Sequence, residues 1–258
     1  MPETLLELVD VSKNFGGLQA VGGCAFKVAE GSVTGIIGPN GAGKTTTLNM
    51  IAGEAHPDRG RILLAGSPVE RLRPYQLSRL GVGRTFQLAR ELGRLTVMEN
   101  LCLAPAGQKG ESLFWSVIGG PAVRRQEAAI RTRAREVLDM FALYDKRNDL
   151  AMTLSGGQKK LLEIARAVMS EPKLLLMDEP TAGVNPALRD RLLAHIRRIN
   201  ETGLTVLIVE HNLSVIEELC DDVIVMAAGS VLRRGKLADL RRDADVVAAY
   251  LGGQHVSA

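Results

Sequence analysis

The sequence has few of the features that mark a disulfide-stabilised, membrane-spanning or nucleic-acid-binding protein. Cysteine occurs three times, at Cys24, Cys102 and Cys220, with no C-x-x-C spacing. That excludes a disulfide framework or a zinc site and leaves small core residues in a reducing compartment. No uncharged apolar run approaches the roughly 18 to 20 residues that span a bilayer. The opening stretch, MPETLLELVDVSKNF, carries acidic residues and no apolar h-region, so no signal peptide is expected. The chain is expected in the cytosol, and any work at a membrane requires another chain to do the spanning. Neither sign of charge dominates: 32 basic and 29 acidic residues give a net charge of +3 and no general case for nucleic acid as a partner. Aromatics are scarce too, with five Phe, three Tyr and one Trp.

What is present is an apolar content of 46% over 258 residues, enough for one large domain or a domain with a subdomain. The strongest local signal is GPNGAGKTT, Gly38 to Thr46, between an apolar β-like run (Val33 to Ile37) and a helix-like run (Thr46 to Ala52). Glycines 38, 41 and 43, with Asn40 and Ala42 between them, let successive N–H groups point inward, and the following helix aims its positive end at the same place. Such a loop cradles phosphates. Lys44 reaches the β- and γ-phosphates, Thr45 offers its hydroxyl to Mg²⁺, and Thr46 opens the helix. No N-K-x-D guanine-reading motif accompanies it, which disfavours a GTPase.

Two further strand ends carry chemistry. Leu174 to Met177 is wholly apolar and delivers Asp178 and Glu179 before Pro180 stops the strand, the end at which open α/β sheets place ligands. Asp178 is the candidate for the Mg²⁺ shell and Glu179 the candidate general base for the attacking water. Thr205 to Val209 is another buried strand, ending in Glu210 and His211, where a histidine can contact the γ-phosphate and register its loss.

Between these motifs the pattern changes. Before the loop, short β-like pieces (Leu5 to Val9, Ala25 to Val28) alternate with turns, one of them at Phe15-Gly16-Gly17. Phe15 reads equally as a base-stacking face or as turn packing. Gln87 ends a β-like run; its amide can complete a metal shell or orient water, and it can equally be a surface residue. From Leu88 to Asp149 strands vanish, and Val123, Ile130, Ala134, Val137 or Leu138, and Phe141 recur at helical spacing opposite an arginine face. That face is a solvated surface or a docking surface. The loop from Ala106 to Pro121 holds Phe114 and Trp115, which pack on their own helices or touch a partner. Then Leu154-Ser155-Gly156-Gly157-Gln158 begins a helix to about Met169, with Ser155 at the N-cap and two glycines expected to leave the first-turn N–H groups uncovered. This second anion cradle has no lysine loop of its own, which implies that one copy holds the nucleotide while the turn of another closes over the γ-phosphate.

In this order the motifs GPNGAGKTT, Gln87, LSGGQ, LLLMDEP and His211 resemble those of the ATP-binding cassette (ABC) ATPases over essentially the whole chain. The resemblance implies an α/β P-loop NTPase fold: a RecA-like mixed sheet core, an N-terminal antiparallel β subdomain, and a helical subdomain inserted at 88–170 of a single domain spanning 4–252. It implies that Phe15 stacks on adenine, that Gln87 links Mg²⁺ to the helical subdomain, that Glu179 is the catalytic base with Lys44 and His211 beside it, and that two ATPs lie between two cassettes. Arg84-Thr85-Phe86-Gln87, Thr96-Val97-Met98-Glu99-Asn100, Ala182-Gly183-Val184-Asn185-Pro186 and the tail Val247 to Gly252 look like the longer ATPase of branched-chain amino acid importers. The partners this implies are a second ATPase subunit, two transmembrane permeases and, indirectly, a solute-binding protein, with the chain on the inner face of the cell membrane. Two departures, Asn185 where most cassettes carry aspartate and Gly156 where this subfamily often has a bulkier residue, leave room for neighbouring systems such as amide and urea uptake or lipopolysaccharide export. A soluble cassette protein acting on ribosomes or DNA usually has tandem cassettes or an inserted coiled coil, and this chain has neither.

Overall fold

The computed structural model describes residues 3–85, 92–105, 107–108 and 120–252. Gln87, Phe114 and Trp115 lie outside them. The chain forms two compact units, one of residues 1–84, 173–183 and 196–258, the other of residues 85–172 and 184–195.

The first unit holds two sheets. Strands β1 (Thr4–Phe15) and β2 (Leu18–Ala29) form a hairpin that closes on the pair Phe15 and Leu18, and β4 (Arg59–Leu64) and β5 (Ser67–Pro68) extend it in the order β2-β1-β4-β5, antiparallel throughout. The strands are longer than the short β-like runs predict, because bulges carry β1 and β2 through the polar stretches between those runs. The second sheet runs β10-β9-β3-β8-β7-β6, where β3 is Val33–Ile37, β6 Val82–Arg84, β7 Leu174–Asp178, β8 Thr205–Val209, β9 Asp222–Ala227 and β10 Ser230–Gly235. All its pairings are parallel except that of β9 with β10. Every residue of β3, β7 and β8 is buried, which is why these segments read as continuous apolar runs: both faces of a parallel sheet are covered. One core cluster joins Val11, Val21 and Phe26 of the antiparallel sheet, Leu48 and Ile51 of helix α1 (Lys44–Ile51), and Ile36, Leu174 and Leu207 of the parallel sheet.

The second unit is helical among the described residues. Its helices Val97–Cys102, Gly120–Met140 and Gly156–Met169 pack on one another, and the helix Pro186–Asn200 begins within it. In Gly120–Met140 the apolar stripe buries Ala134, Val137 and Leu138, with Phe141 just beyond; of the arginines on the other face Arg124, Arg125, Arg131 and Arg135 are exposed, whereas Arg133 is half-buried and pairs with Glu136. The T-V-M-E-N stretch has a structural basis. Thr96 caps its helix and the Glu99 carboxylate returns to the Thr96 N–H, a capping box worth on the order of 1 kcal/mol. The wholly buried Asn100 amide donates to the carbonyls of Leu92 and Thr96 and accepts from the Leu92 N–H. No helix among the described residues is long and apolar enough to cross a membrane.

Candidate functional site

Strands β3, β8 and β7 are neighbours and parallel, so their C-terminal ends emerge side by side. This one edge therefore collects the loop from Gly38 to Gly43, the Asp178-Glu179 pair and the Glu210-His211 pair, the edge at which open α/β sheets bind ligands.

The loop is built to receive an anion. Helix α1 starts with no side-chain cap and no acidic residue in its first turn, so its N-terminal donors are left for a ligand. Its N-cap Gly43 has φ +91°, and a Cβ there would lie 2.5 Å from the carbonyl oxygen of Ala20 in β2. Only glycine serves at that point. Asn40, Gly41 and Thr45 are exposed, Thr46 is half-buried, and Gly38 and Ala42 are buried beneath them. The Lys44 ammonium is held over the loop by hydrogen bonds to the carbonyls of Gly38 (2.7 Å) and Pro39 (3.0 Å). Burial lowers its pKa, and the carboxylates of Glu179 and Asp178 act in the opposite sense.

Asp178 is buried at the end of β7, with an Arg84 guanidinium nitrogen 3.7 Å from its Oδ2. Arg84 also reaches Asn49 Oδ1 in α1 (2.7 Å) and Glu54 Oε2 (2.9 Å), so one cation ties the loop helix to the acidic strand. No group of three or more His, Cys, Asp or Glu among the described residues could hold a metal by itself. One hydroxyl, Thr45, and one carboxylate, Asp178, beside a phosphate cradle nevertheless fit Mg²⁺, which keeps waters and takes its remaining ligands from phosphates.

Glu179 breaks from the strand. Its backbone is left-handed, φ +47°, an uncommon conformation for a side chain of this kind, and its N–H donates to the Val209 carbonyl at 2.9 Å. Its carboxylate Oε1 lies 3.1 Å from Nδ1 of His211, with the glutamate side chain 22% and the imidazole 55% exposed. A candidate base and its histidine thus meet at the sheet edge with access to solvent.

Phe15 stands at the tip of the β1–β2 hairpin, 54% exposed, with the Lys13 ammonium 5.5 Å from the ring centroid. That exposure rules out a core role and leaves both base stacking and turn packing open. Asp58 anchors the hairpin end by accepting from the Asn14 N–H (2.7 Å) and the Lys13 ammonium (2.9 Å).

The serine-glycine turn belongs to the second unit. Ser155 caps the helix Gly156–Met169, accepting from the Gln158 N–H at 3.3 Å, and Gln158 Oε1 accepts from the Ser155 N–H at 3.0 Å. The two glycines differ in what a side chain there would meet. Gly156 faces open space, whereas a Cβ on Gly157 would lie 1.7 Å from Leu188 Cδ2, so Leu188 covers the second position. Asn185 caps the helix Pro186–Asn200, its Oδ1 accepting from the Leu188 N–H at 3.0 Å, an acceptor role that Asp fills equally well.

Two residues at this edge were not picked out from sequence, Arg84 and Glu210. Glu210 carries the same signal as Asp178, an acid closing an apolar strand, beside a histidine whose chemistry is the more evident. Arg84 carries none, since its partners Asn49, Glu54 and Asp178 all lie 30 or more positions away in the chain.

Comparison with known proteins gives the family and the fold. A family model described as ABC transporter matches residues 21–182. The chain is 42% identical to the "Probable branched-chain amino acid transport ATP-binding protein LivG" of Archaeoglobus fulgidus, over 97% of this chain and 96% of that one. Among solved structures it is similar to the ADP conformation of MJ1267, an ATP-binding cassette of an ABC transporter, with TM-score 0.82, 34% identity, and coverage of 96% and 99%. It is also similar to a dimeric post-hydrolysis state of the ATP-binding cassette MJ0796 bound to ADP and Pi, with TM-score 0.73, 27% identity, and coverage of 90% and 99%.

Proposed function

Because this chain belongs to the ABC transporter family, we propose that it is the ATP-hydrolysing subunit of an importer for branched-chain or other hydrophobic amino acids. The observation that carries this reading is the meeting of Lys44, Asp178, Glu179 and His211 at one sheet edge, in a chain similar along nearly its whole length to a branched-chain amino acid transport ATP-binding protein.

The loop amides and Lys44 bind the β- and γ-phosphates of ATP, and Phe15 stacks on the adenine. Thr45, Asp178 and Gln87 would hold Mg²⁺, which when bound neutralises phosphate charge. Glu179 accepts the proton of the attacking water, and His211, in contact with it, faces the γ-phosphate. Ser155, Gly156, Gly157 and Gln158 of a second cassette close over that phosphate, so ATP binding draws two cassettes together and hydrolysis releases them. The helical segment 88–170 passes the motion to two permease subunits, to which a solute-binding protein delivers the cargo. The chain works peripherally on the cytoplasmic face of the cell membrane, and the solute does not touch it.

Purification of a tagged copy from host membranes in mild detergent, with mass spectrometry of what accompanies it, tests the assignment. Recovery of two multi-pass permeases and a second cassette, with an amino-acid-binding protein encoded or captured alongside, is expected. Recovery of lipopolysaccharide-export, ribosomal or DNA-repair proteins would overturn the transport assignment and keep the ATPase.

A further inference from the structure

The buried carboxylate of Glu210 takes no part in the mechanism above. Glu210 follows β8 at 1% exposure, and its hydrogen bonds reach the Glu179 segment, His211 and the strand that leads into the phosphate loop. Its Oε1 accepts from the N–H of Thr181 at 3.0 Å and from the Thr181 hydroxyl at 2.6 Å, two residues beyond Glu179. Its Oε2 accepts from the His211 N–H at 3.3 Å. Its own N–H donates to the carbonyl of Ile36 at 3.2 Å, in the strand that runs into the phosphate loop. A carboxylate removed from water is costly unless hydrogen bonds compensate it, and here N–H and O–H donors from the two catalytic segments provide the compensation.

We infer that Glu210 is a positioning residue that fixes the Glu179 loop against His211 and the phosphate-loop strand. The Glu179 backbone is left-handed and persists only if its surroundings hold it. The Glu179 N–H bond to Val209 fixes the start of the loop, and Glu210 fixes it two residues on, so the loop is pinned on both sides of the turn. Charge matters as well as shape. Both carboxylate oxygens accept, whereas an amide at this position keeps one acceptor and turns an N–H donor toward either the Thr181 or the His211 donor.

This inference rests on Glu179 and His211 acting on ATP, and the test separates the two claims. Turnover, KM, binding of a fluorescent ATP analogue and thermal unfolding are measured on the purified full chain as wild type, Glu210→Gln, Thr181→Val, Thr181→Ser, the Glu210→Gln/Thr181→Val double variant, and Glu179→Gln. Glu210→Gln and Thr181→Val each lower kcat by about tenfold, as small misplacements of reacting groups do, while analogue affinity stays within about twofold of wild type. Thr181→Ser, which keeps the hydroxyl, restores wild-type kcat, and the double variant is no slower than Glu210→Gln, because both remove one interaction. Wild-type kcat in the folded single variants, losses that multiply, or affinity and thermal stability falling in step with kcat would each overturn the positioning role. Should Glu210→Gln not fold, the contrast of Thr181→Val with Thr181→Ser decides alone. Full activity of Glu179→Gln would instead defeat the catalytic reading itself.

Discussion

Nδ1 of His211 lies 3.1 Å from Oε1 of Glu179, although the two residues come from different strands and are 32 positions apart in the chain. The contact exists because β7 and β8 are parallel neighbours in register, Asp178 beside Val209, and because the left-handed turn at Glu179 takes its side chain off the strand's alternation. His211→Ala is expected to lower kcat by about a hundredfold, the scale of a lost positioning contact at a reacting group, with ATP-analogue affinity changed far less. Steady-state kinetics with a parallel binding titration checks this, and equal losses in both quantities would place His211 in ground-state binding instead.

The two glycines of the serine-glycine turn separate two causes for glycine. Gly156 meets nothing within 4 Å, so Gly156→Ala is expected to stabilise the fold by about 0.4 to 1 kcal/mol through the unfolded chain. Gly157→Ala drives a methyl into Leu188, whose Cγ would be 3.0 Å away, and is expected to cost about 1 to 3 kcal/mol. Urea unfolding of the two variants should move in opposite directions, and Leu188→Ala should relieve the second.

Asp58 offers a pH signature. Its carboxylate is held below the ordinary aspartate range, first by the Asn14 N–H and then by Lys13. A depressed folded pKa contributes stability that is present above the unfolded value, about 3.9, and is lost as pH falls through the folded value. The stability gap between wild type and Asp58→Asn is therefore expected to be open at neutral pH and to close in acid. Because Asp58 anchors the hairpin that presents Phe15, the variant should also bind ATP a few-fold more weakly at neutral pH.

The thiols should report burial. Desolvation raises the Cys24 thiol to about 11 and the Cys220 thiol to about 12, and raises that of Cys102 as well. Little thiolate forms at pH 8 at the first two, so a disulfide reagent should modify Cys102 first and the others only on unfolding. Stopped-flow or mass mapping of the labelled sites checks the order.

Much of this was legible in the sequence because burial writes itself into composition. Strands covered on both faces read as unbroken apolar runs, and a phosphate loop needs its glycines and lysine at fixed spacing. The antiparallel strands read as short pieces because their bulges interrupt the alternation that marks a strand. Glu210 and Arg84 escaped because their roles depend on partners that only the sheet order brings near, Thr181 in one case and Asp178 in the other. The cover over Gly157 escaped likewise, since nothing local announces that Leu188 lies on it.

The central claim is that Glu179 completes a hydrolytic site which ATP builds between two cassettes. The direct measurement is turnover and sedimentation of Glu179→Gln beside wild type in Mg²⁺ and ATP. Loss of turnover by a factor of about 10² to 10⁴, the range for removing a general base, with accumulation of an ATP-dependent dimer, is the predicted result. Wild-type turnover, or an inactive variant that stays monomeric at saturating ATP, would contradict it.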